Sequence, residues 1–147
     1  MTLQSWLENR WIVQVPTSNE ELRNLRAIVA RELQDSQVDG ISLDARLGML
    51  YNAALKLAEM ALRAHGYRVP AGGGRHHERT IASLVLTLGE GWRSTMNIIN
   101  QVRVMRHRAD YESVGIATSA EIRDLRAEVD RLLPVVEGLA RSRGFSL

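Results

Sequence analysis

Apolar residues recur every three or four positions along most of this chain, which is the spacing of one face of an α-helix. The pattern is clearest between Ser42 and Gly66, where the apolar positions alternate in steps of four and three. Serine suits a helix N-cap, and glycine suits the left-handed residue that follows a helix. A helix is therefore predicted between these two residues. Its inward positions are Leu43, Leu47, Leu50, Ala54, Leu57 and Ala61.

Two more helices are predicted to begin at capping boxes, in which a hydroxyl residue and a glutamate three positions later satisfy each other's backbone amides. The box at Ser18 opens a helix over about 19–37, and the box at Thr118 opens one that runs to about residue 141. Pro134 lies inside the second of these helices and is expected to bend or divide it. The inward positions of the first are Leu22, Leu25, Ile28, Val29 and Leu33.

The middle of the chain is punctuated by glycine and proline. Residues 67–74 contain Pro70 and three consecutive glycines, and they form the one plainly flexible loop of the chain. A helix is predicted over about 75–88, and after a turn with two further glycines another is predicted over about 92–110. The core-facing positions of this last helix are expected to be Ile98, Val102, Met105 and Ala109.

These elements predict an all-α protein, an up-and-down bundle of four to five helices without strands or internal repeats. At 147 residues the chain is long enough to enclose a single core. Residues 17–147 are expected to form the bundle. Residues 1–16, which include Trp6 and Trp11, are expected to pack on it as a short helix or lid that ends before Pro16.

Composition narrows the class of protein further. The chain has no cysteine, which excludes a disulfide framework, a thiolate zinc site and a cysteine nucleophile. No apolar run approaches the length that crosses a bilayer, and the amino terminus lacks the basic-then-apolar layout of a signal peptide. We therefore expect a soluble, cytoplasmic protein with no membrane partner.

The charge is unevenly distributed along the chain. Residues 1–62 and 109–147 each sum to −2, whereas residues 63–108 sum to +6. Lys56 is the single lysine among 19 basic residues, and such an arginine excess can simply reflect genome composition. Genome composition does not explain why the arginines concentrate in the middle third. That concentration creates a local positive field that attracts a polyanion or an acidic partner.

The densest chemistry lies between Arg103 and Tyr111, at the end of the fourth long helix. Arg103, Arg106 and Asp110 follow i, i+3, i+7 spacing and therefore share one flank of that helix. A guanidinium on such a flank can hold phosphate or carboxylate through two parallel hydrogen bonds. At about 100° per residue, Arg106 is predicted about 80° from the core-facing seam, at the boundary between core and solvent.

Two adjacent histidines, His76 and His77, follow the glycine loop. Adjacent side chains on a helix diverge by about 100°, and no carboxylate or histidine with zinc-site spacing follows, which argues against a metal site. Together with Arg75 and Arg79 they surround a helix N-terminus, which favours anion binding. The alternative is that one histidine caps the helix and the other is solvated.

Four short motifs occur in order over most of the chain: Tyr51-Asn52-Ala53-Ala54-Leu55, Gly66-Tyr67-Arg68, His76-His77-Glu78-Arg79-Thr80-Ile81 and Arg106-His107-Arg108-Ala109-Asp110-Tyr111. In this order they resemble a subgroup of bacterial proteins of the HEPN superfamily. Members of the superfamily are small helical bundles whose last core helix carries arginine, a polar residue, three further residues and histidine. The resemblance implies an HEPN-like bundle for residues 17–147.

The resemblance also implies a function. Many HEPN proteins are metal-independent endoribonucleases, often toxins or defence effectors, and act as homodimers in which two arginine-histidine motifs meet across a cleft. Arginine would hold the scissile phosphate, and histidine would move protons as the 2′-hydroxyl of RNA attacks. This chain has Tyr111 where the motif has histidine, and a phenol with an unperturbed pKa near ~10 is a poorer acid-base group at neutral pH. His107 lies on a different helical face from Arg106.

Roles follow from the motifs and their neighbours. The catalytic candidates are Arg106, His107, Tyr111 and His77. The phosphate-binding candidates are Arg103, Arg106, Arg75, His76 and Arg79. The orienting candidates are Asp110 and Tyr51, although its place among apolar neighbours favours Tyr51 as a satisfied residue at the core edge over a catalytic one.

Three functions remain open at this stage. The first is an HEPN-like module that binds nucleic acid or nucleotide, as a component of a toxin–antitoxin or defence system. The second is a metal-independent endoribonuclease that acts as a dimer, and the third is a non-catalytic adaptor for protein interactions. No cofactor or metal is expected. A homodimer is expected, and the resemblance implies a nucleotidyltransferase as a further partner, for which a tyrosine near the motif can be the modified group.

Overall fold

Helices make up most of the computed structural model, which describes all 147 residues. The elements in chain order are α1 (Leu3–Glu8), β1 (Val13–Gln14), α2 (Asn19–Asp35), α3 (Leu43–Ala64), β2 (Tyr67–Arg68), α4 (His76–Ala82), α5 (Leu84–Thr87), a 3₁₀ turn (Glu90–Trp92), α6 (Arg93–Tyr111) and α7 (Ser119–Ser142). The prediction of a largely helical protein is confirmed. None of the helices combines the length and the hydropathy that crossing a bilayer requires.

Helix α3 lies at the centre of the fold because its own apolar side chains cover almost its whole circumference. It packs mainly against α2 and α7, and it also contacts α4 and α6. Alanines at positions such as Ala54 and Ala61 are fully buried between larger side chains such as Leu57 and Met60. As a result α3 holds a fixed position relative to every helix that carries a candidate site residue, and its own Tyr51 is buried.

The N-terminal segment packs on the bundle through a small core of its own, formed by Trp6, Ile12, Leu62 and Val69. Helix α1 ends at Glu8, earlier than the predicted element, and the chain then forms a strand pair in which Val13 lies opposite Arg68. The prediction of no strand is therefore wrong. Each strand has only two residues, which is too short for an alternating pattern to reveal, and the pairing depends on backbone groups brought together by the fold.

The predicted helix over 75–88 is interrupted at Ser83 and forms two helices, α4 and α5. The Ser83 hydroxyl donates a hydrogen bond of 2.6 Å to the carbonyl of Thr80, and Thr87 donates at 3.3 Å to the carbonyl of Ser83. Hydroxyls bonded to the preceding turn compete with the backbone ladder and bend helices. By contrast, Pro134 does not divide α7, which runs through it unbroken.

The buried face of α6 differs from the predicted one. The fully buried positions are Thr95, Ile99 and Val102, whereas Ile98 is only half-buried and Ala109 likewise. Met105 is half-buried and packs against the core as predicted. Because Arg106 lies seven residues after Ile99 and four after Val102, it continues the buried stripe itself. The helix therefore directs Arg106 toward α3, and its intermediate exposure confirms the predicted position at the boundary between core and solvent.

Asp44, at the start of α3, fastens the segment that joins α6 to α7. Its carboxylate accepts hydrogen bonds from the backbone N–H of Gly115 at 2.7 Å and of Ala117 at 2.9 Å. These backbone hydrogen bonds, that of Ala117 first, hold the pKa of Asp44 below its usual range. The carboxylate therefore binds the linker across the whole neutral range.

Replacing Asp44 with alanine is expected to speed amide hydrogen exchange at Gly115 and Ala117, because both N–H groups lose their acceptor. Since the folded pKa of Asp44 is lowered, its stabilising contribution is present above the unfolded value and is lost as pH falls through the folded value. NMR-detected exchange at neutral pH measures the effect, and an acid titration of the two amide shifts gives the pKa. Asp39→Ala, at an exposed carboxylate with no hydrogen-bond partner, is the control. Equal exchange in both variants would contradict the assignment.

Candidate anion-binding cleft

A cleft of about 460 Å³ opens between α3, α4, α6 and the glycine loop. It is lined by Tyr51, Gly72, Gly74, His76, His77, Glu78, Arg103, Arg106 and His107. Six of these residues were candidates on sequence grounds, and the fold brings them to one place: five belong to three separate motifs, and Arg103 lies just before the last of these. Glu78 is the one carboxylate among the lining residues, against two guanidinium groups and three imidazoles.

Arg106 is positioned by groups on two helices. Its guanidinium carbon lies 5.4 Å from the centre of the Tyr51 ring, and its Nη1 lies 3.4 Å from Oδ2 of Asp110. Gly48 lies beside it, and a Cβ there would be in ordinary van der Waals contact with the Arg106 Nε at 3.8 Å. The side chain of Arg106 is 39% exposed, so it is held against α3 while remaining accessible from the cleft. Both predicted orienting residues, Tyr51 and Asp110, thus lie against it.

Tyr51 also contacts His77 within the same cleft. The Tyr51 hydroxyl lies 3.4 Å from His77 Nδ1, a long contact for a hydrogen bond of this type. Burial raises the pKa of Tyr51 to about 12, against the opposing effect of the Arg106 and Arg103 charges, so its hydroxyl stays protonated. Partial desolvation, followed by the charge of His76, lowers the pKa of His77. In the neutral imidazole Nδ1 either accepts a hydrogen bond from the phenol or donates one to it, according to the tautomer, and the donating tautomer leaves Nε2 free as an acceptor.

The remaining α6 candidates divide between the cleft and the outer surface. Arg103 lines the cleft and donates from Nε to the side-chain oxygen of Asn100 at 2.9 Å, which limits its freedom. His107 lines the cleft as well. Tyr111 does not: the residue is 75% exposed and is absent from the cleft lining, although its ring centre lies 4.9 Å from that of His107. The phenol at the terminal motif position is therefore outside the cleft.

Arg75 and Arg79 also lie outside the cleft, contrary to their predicted phosphate-binding role. The guanidinium of Arg79 lies over the ring of Trp11, 4.9 Å from its centre, and so fastens the N-terminal segment to α4. Arg75 is exposed at the N-cap position of α4 and makes no capping hydrogen bond with its side chain. Helix α4 has only seven residues, and it contributes His76, His77 and Glu78 to the cleft lining.

Sequence reasoning missed three contributors to the site. Gly72 and Gly74 line the cleft with backbone atoms, and both have positive φ angles of 98° and 74°. A run of glycine marks such a loop but does not say which cavity it borders. Glu78 is the third, and its place beside His77 in the same motif is the signal that could have found it.

The geometry of the cleft is suited to binding an anion through arginine and imidazole groups. Across the chain, no three histidine, aspartate or glutamate side chains converge in the way that a metal site needs. The comparisons with known proteins add no further constraint. No protein-family model, no curated protein and no solved structure matches this chain.

Proposed function

We propose that this protein is an HEPN-like module that binds RNA or a nucleotide through the cleft around Arg106. One observation supports the proposal most directly: Arg103, Arg106 and three histidines from separate parts of the chain line a single cavity beside only one carboxylate. Phosphate groups are the common anions that such a set of donors recognises. The proposed HEPN-like fold depends on the order of the sequence motifs together with the helical architecture.

The charges in the cleft favour a phosphate over a neutral ligand. Arg103 has no acidic partner within salt-bridge distance, and Arg106 pairs with Asp110 only at 3.4 Å and with both side chains about two-fifths exposed. An exposed pair of this kind contributes little, so a phosphate oxygen can compete for the guanidinium. Protonation of His77 adds positive charge, and because its pKa is lowered we expect anion binding to strengthen only as pH falls below the ordinary histidine value.

Binding of a fluorescent single-stranded RNA, followed by anisotropy as salt is varied, tests the proposal. For single strands the logarithm of the binding constant falls by about 0.7 per phosphate contact for each tenfold increase in salt. Arg103→Ala is therefore expected to weaken binding and to reduce that slope by about 0.7. Arg141→Ala, which removes an exposed arginine from α7, should leave the slope unchanged. Absence of RNA binding at low salt, or equal slopes in both variants, would contradict the proposal.

A second candidate function is metal-independent cleavage of RNA. It is favoured by His77, whose lowered pKa keeps the imidazole neutral in the same cleft as Arg106. A neutral imidazole can take the proton from a ribose 2′-hydroxyl as that oxygen attacks phosphorus. The bond from phosphorus to the 5′-oxygen then breaks, a protonated histidine such as His107 gives the leaving oxygen its proton, and a 2′,3′-cyclic phosphate remains. Arg106 would stabilise the charge on the phosphorane.

Incubating RNA with the purified protein in the presence of EDTA distinguishes binding from cleavage. Cleavage predicts products that end in 2′,3′-cyclic phosphate and the loss of activity in His77→Ala with RNA binding retained. Tight binding without products over a broad RNA panel would favour the binding module. If the protein neither binds nor cleaves RNA or nucleotides, both of these functions fail, and the third candidate, a non-catalytic adaptor for protein interactions, is favoured.

The proposed homodimer and the proposed nucleotidyltransferase partner are each tested by a separate measurement. Tyr111 is 75% exposed at the end of α6, so its hydroxyl is accessible to a modifying enzyme. Mass spectrometry after co-expression with a nucleotidyltransferase encoded beside this protein would detect an adduct on Tyr111.

Light scattering at micromolar concentration gives the oligomeric state, and a monomer would contradict a site composed from two chains.

A further inference from the structure

A second cavity, of about 400 Å³, lies next to the cleft and shares His76 with it. It is bounded by α2, α3, the start of α4 and the residues that follow β2. The loop between β2 and α4 borders both spaces in succession, with Ala71 on the second cavity and Gly72 on the cleft. A single ligand that extends past His76 can therefore contact both.

The second cavity differs from the cleft in its chemistry. Its apolar lining residues are Leu25, Ile28, Leu62, Val69 and Ala71. Its charged groups balance, because Arg63 forms an ion pair with Glu21, and Arg68 and Glu59 supply one further charge of each sign. A volume of several hundred cubic ångström with an apolar lining and a few polar groups is typical of a small-molecule site. A flat uncharged ring suits this cavity better than an anion does.

Asn24 adds a hydrogen-bonding group to this cavity. Its side chain lines the cavity, is exposed, and makes no hydrogen bond within the protein. A carboxamide presents an acceptor oxygen and two donor hydrogens in one plane. This arrangement can pair with the donors and acceptors on the edge of a nucleobase. The cavity thus combines an apolar surface for the face of a base with an unpaired amide for its edge.

We propose that the two cavities together bind one nucleoside monophosphate unit. The base occupies the neutral cavity beside Asn24, the phosphate occupies the cationic cleft at Arg103 and Arg106, and His76 lies at the junction beside the sugar. This inference rests on the proposed function, since the phosphate site is the cleft already described. The unit can be a free nucleotide or one residue of an RNA strand, because both present a base joined to a phosphate through ribose.

Calorimetric titration of the full chain with AMP and with ribose 5-phosphate tests the inference. AMP is expected to bind at least about tenfold more tightly, because only AMP buries a base in the apolar cavity. Asn24→Trp fills the mouth of that cavity and is expected to reduce AMP affinity to that of ribose 5-phosphate without changing the latter. Arg31→Trp, at an exposed position farther along α2, should change neither affinity. Asn24→Ala, which favours the helix, should weaken AMP alone and guards against misfolding of the bulkier variant.

The outcomes separate the base cavity from the phosphate site. Ribose 5-phosphate binding as tightly as AMP would overturn the base cavity and leave the proposed function intact. If AMP, ribose 5-phosphate and a four-residue adenylate RNA all fail to bind, both proposals fail. If the RNA binds, AMP does not, and Asn24→Trp weakens the RNA, the unit is a residue of a strand. If AMP binds and responds to Asn24→Trp while the RNA does not bind, the ligand is a free nucleotide.

Discussion

Replacing Arg106 with alanine is expected to weaken RNA binding about 10- to 100-fold while the protein stays folded. Hydrogen bonds to charged groups contribute about 1.5–3 kcal/mol, which corresponds to this range. The fold should tolerate the change because the side chain is 39% exposed and its pairing with Asp110 at 3.4 Å is loose. Fluorescence anisotropy at fixed salt measures the binding constant, and circular dichroism with thermal unfolding measures the fold.

The same helix provides the matched control. Arg108 lies two residues away, its side chain is 57% exposed, and it pairs with Glu112 at 3.9 Å without lining the cleft. Arg108→Ala removes the same charge from the same helix and is expected to change binding less than about threefold. Arg106→Lys keeps the charge but loses the two-pronged donor geometry, so it should recover only part of the loss. Equal effects of Arg106→Ala and Arg108→Ala would show that general charge, and not the cleft, binds RNA.

Replacing Leu57 with alanine is expected to lower the free energy of unfolding by about 2–5 kcal/mol. Leu57 is fully buried on α3, where it belongs to the core cluster that includes residues of α2, α6 and α7. Its truncation removes apolar burial and leaves a cavity that packed helices cannot fully close. For a chain of this size the loss corresponds to a decrease in Tm of roughly 5–20 °C. Urea unfolding followed by circular dichroism gives the free energy.

Val104→Ala is the matched control for this experiment. It also shortens an apolar side chain within a helix, but Val104 is 50% exposed on the outer face of α6. Its effect is expected to stay within about 0.5 kcal/mol. A loss of less than 1 kcal/mol for Leu57→Ala would contradict the central packing of α3. Such a result would also remove the basis for the position of Tyr51 in the cleft.

Helix positions were largely predictable because their signals are local. The capping boxes at Ser18 and Thr118 form as predicted, and each hydroxyl accepts a hydrogen bond from the backbone N–H three residues later. Ser42 likewise caps α3. A cap depends on neighbouring residues and a helical face on a fixed repeat, so a short stretch of sequence contains all the information needed.

The errors arose where distant parts of the chain decide the outcome. The strand pair forms because the backbone of residues 13–14 meets that of residues 67–68. Neither segment has a sequence pattern that predicts a strand by itself. The rotation of α6 was misjudged because Ile98 and Ile99 are both apolar, and the pattern cannot say which faces α3. The structure buries Ile99, and this rotation turns Arg106 toward the cleft.

The sequence by itself determined that the chain is helical, where most helices begin, and that arginine and histidine concentrate in its middle third. Only the tertiary structure decided which of those cations share a cavity. Arg106 of α6 packs on Tyr51 of α3, which is distant in the sequence. Arg79 contacts Trp11 instead, and Tyr111 is exposed outside the cleft. The physical reason is that helix formation is governed by neighbours in sequence. A binding site depends on the distances between packed helices, which the close fit of the whole core sets.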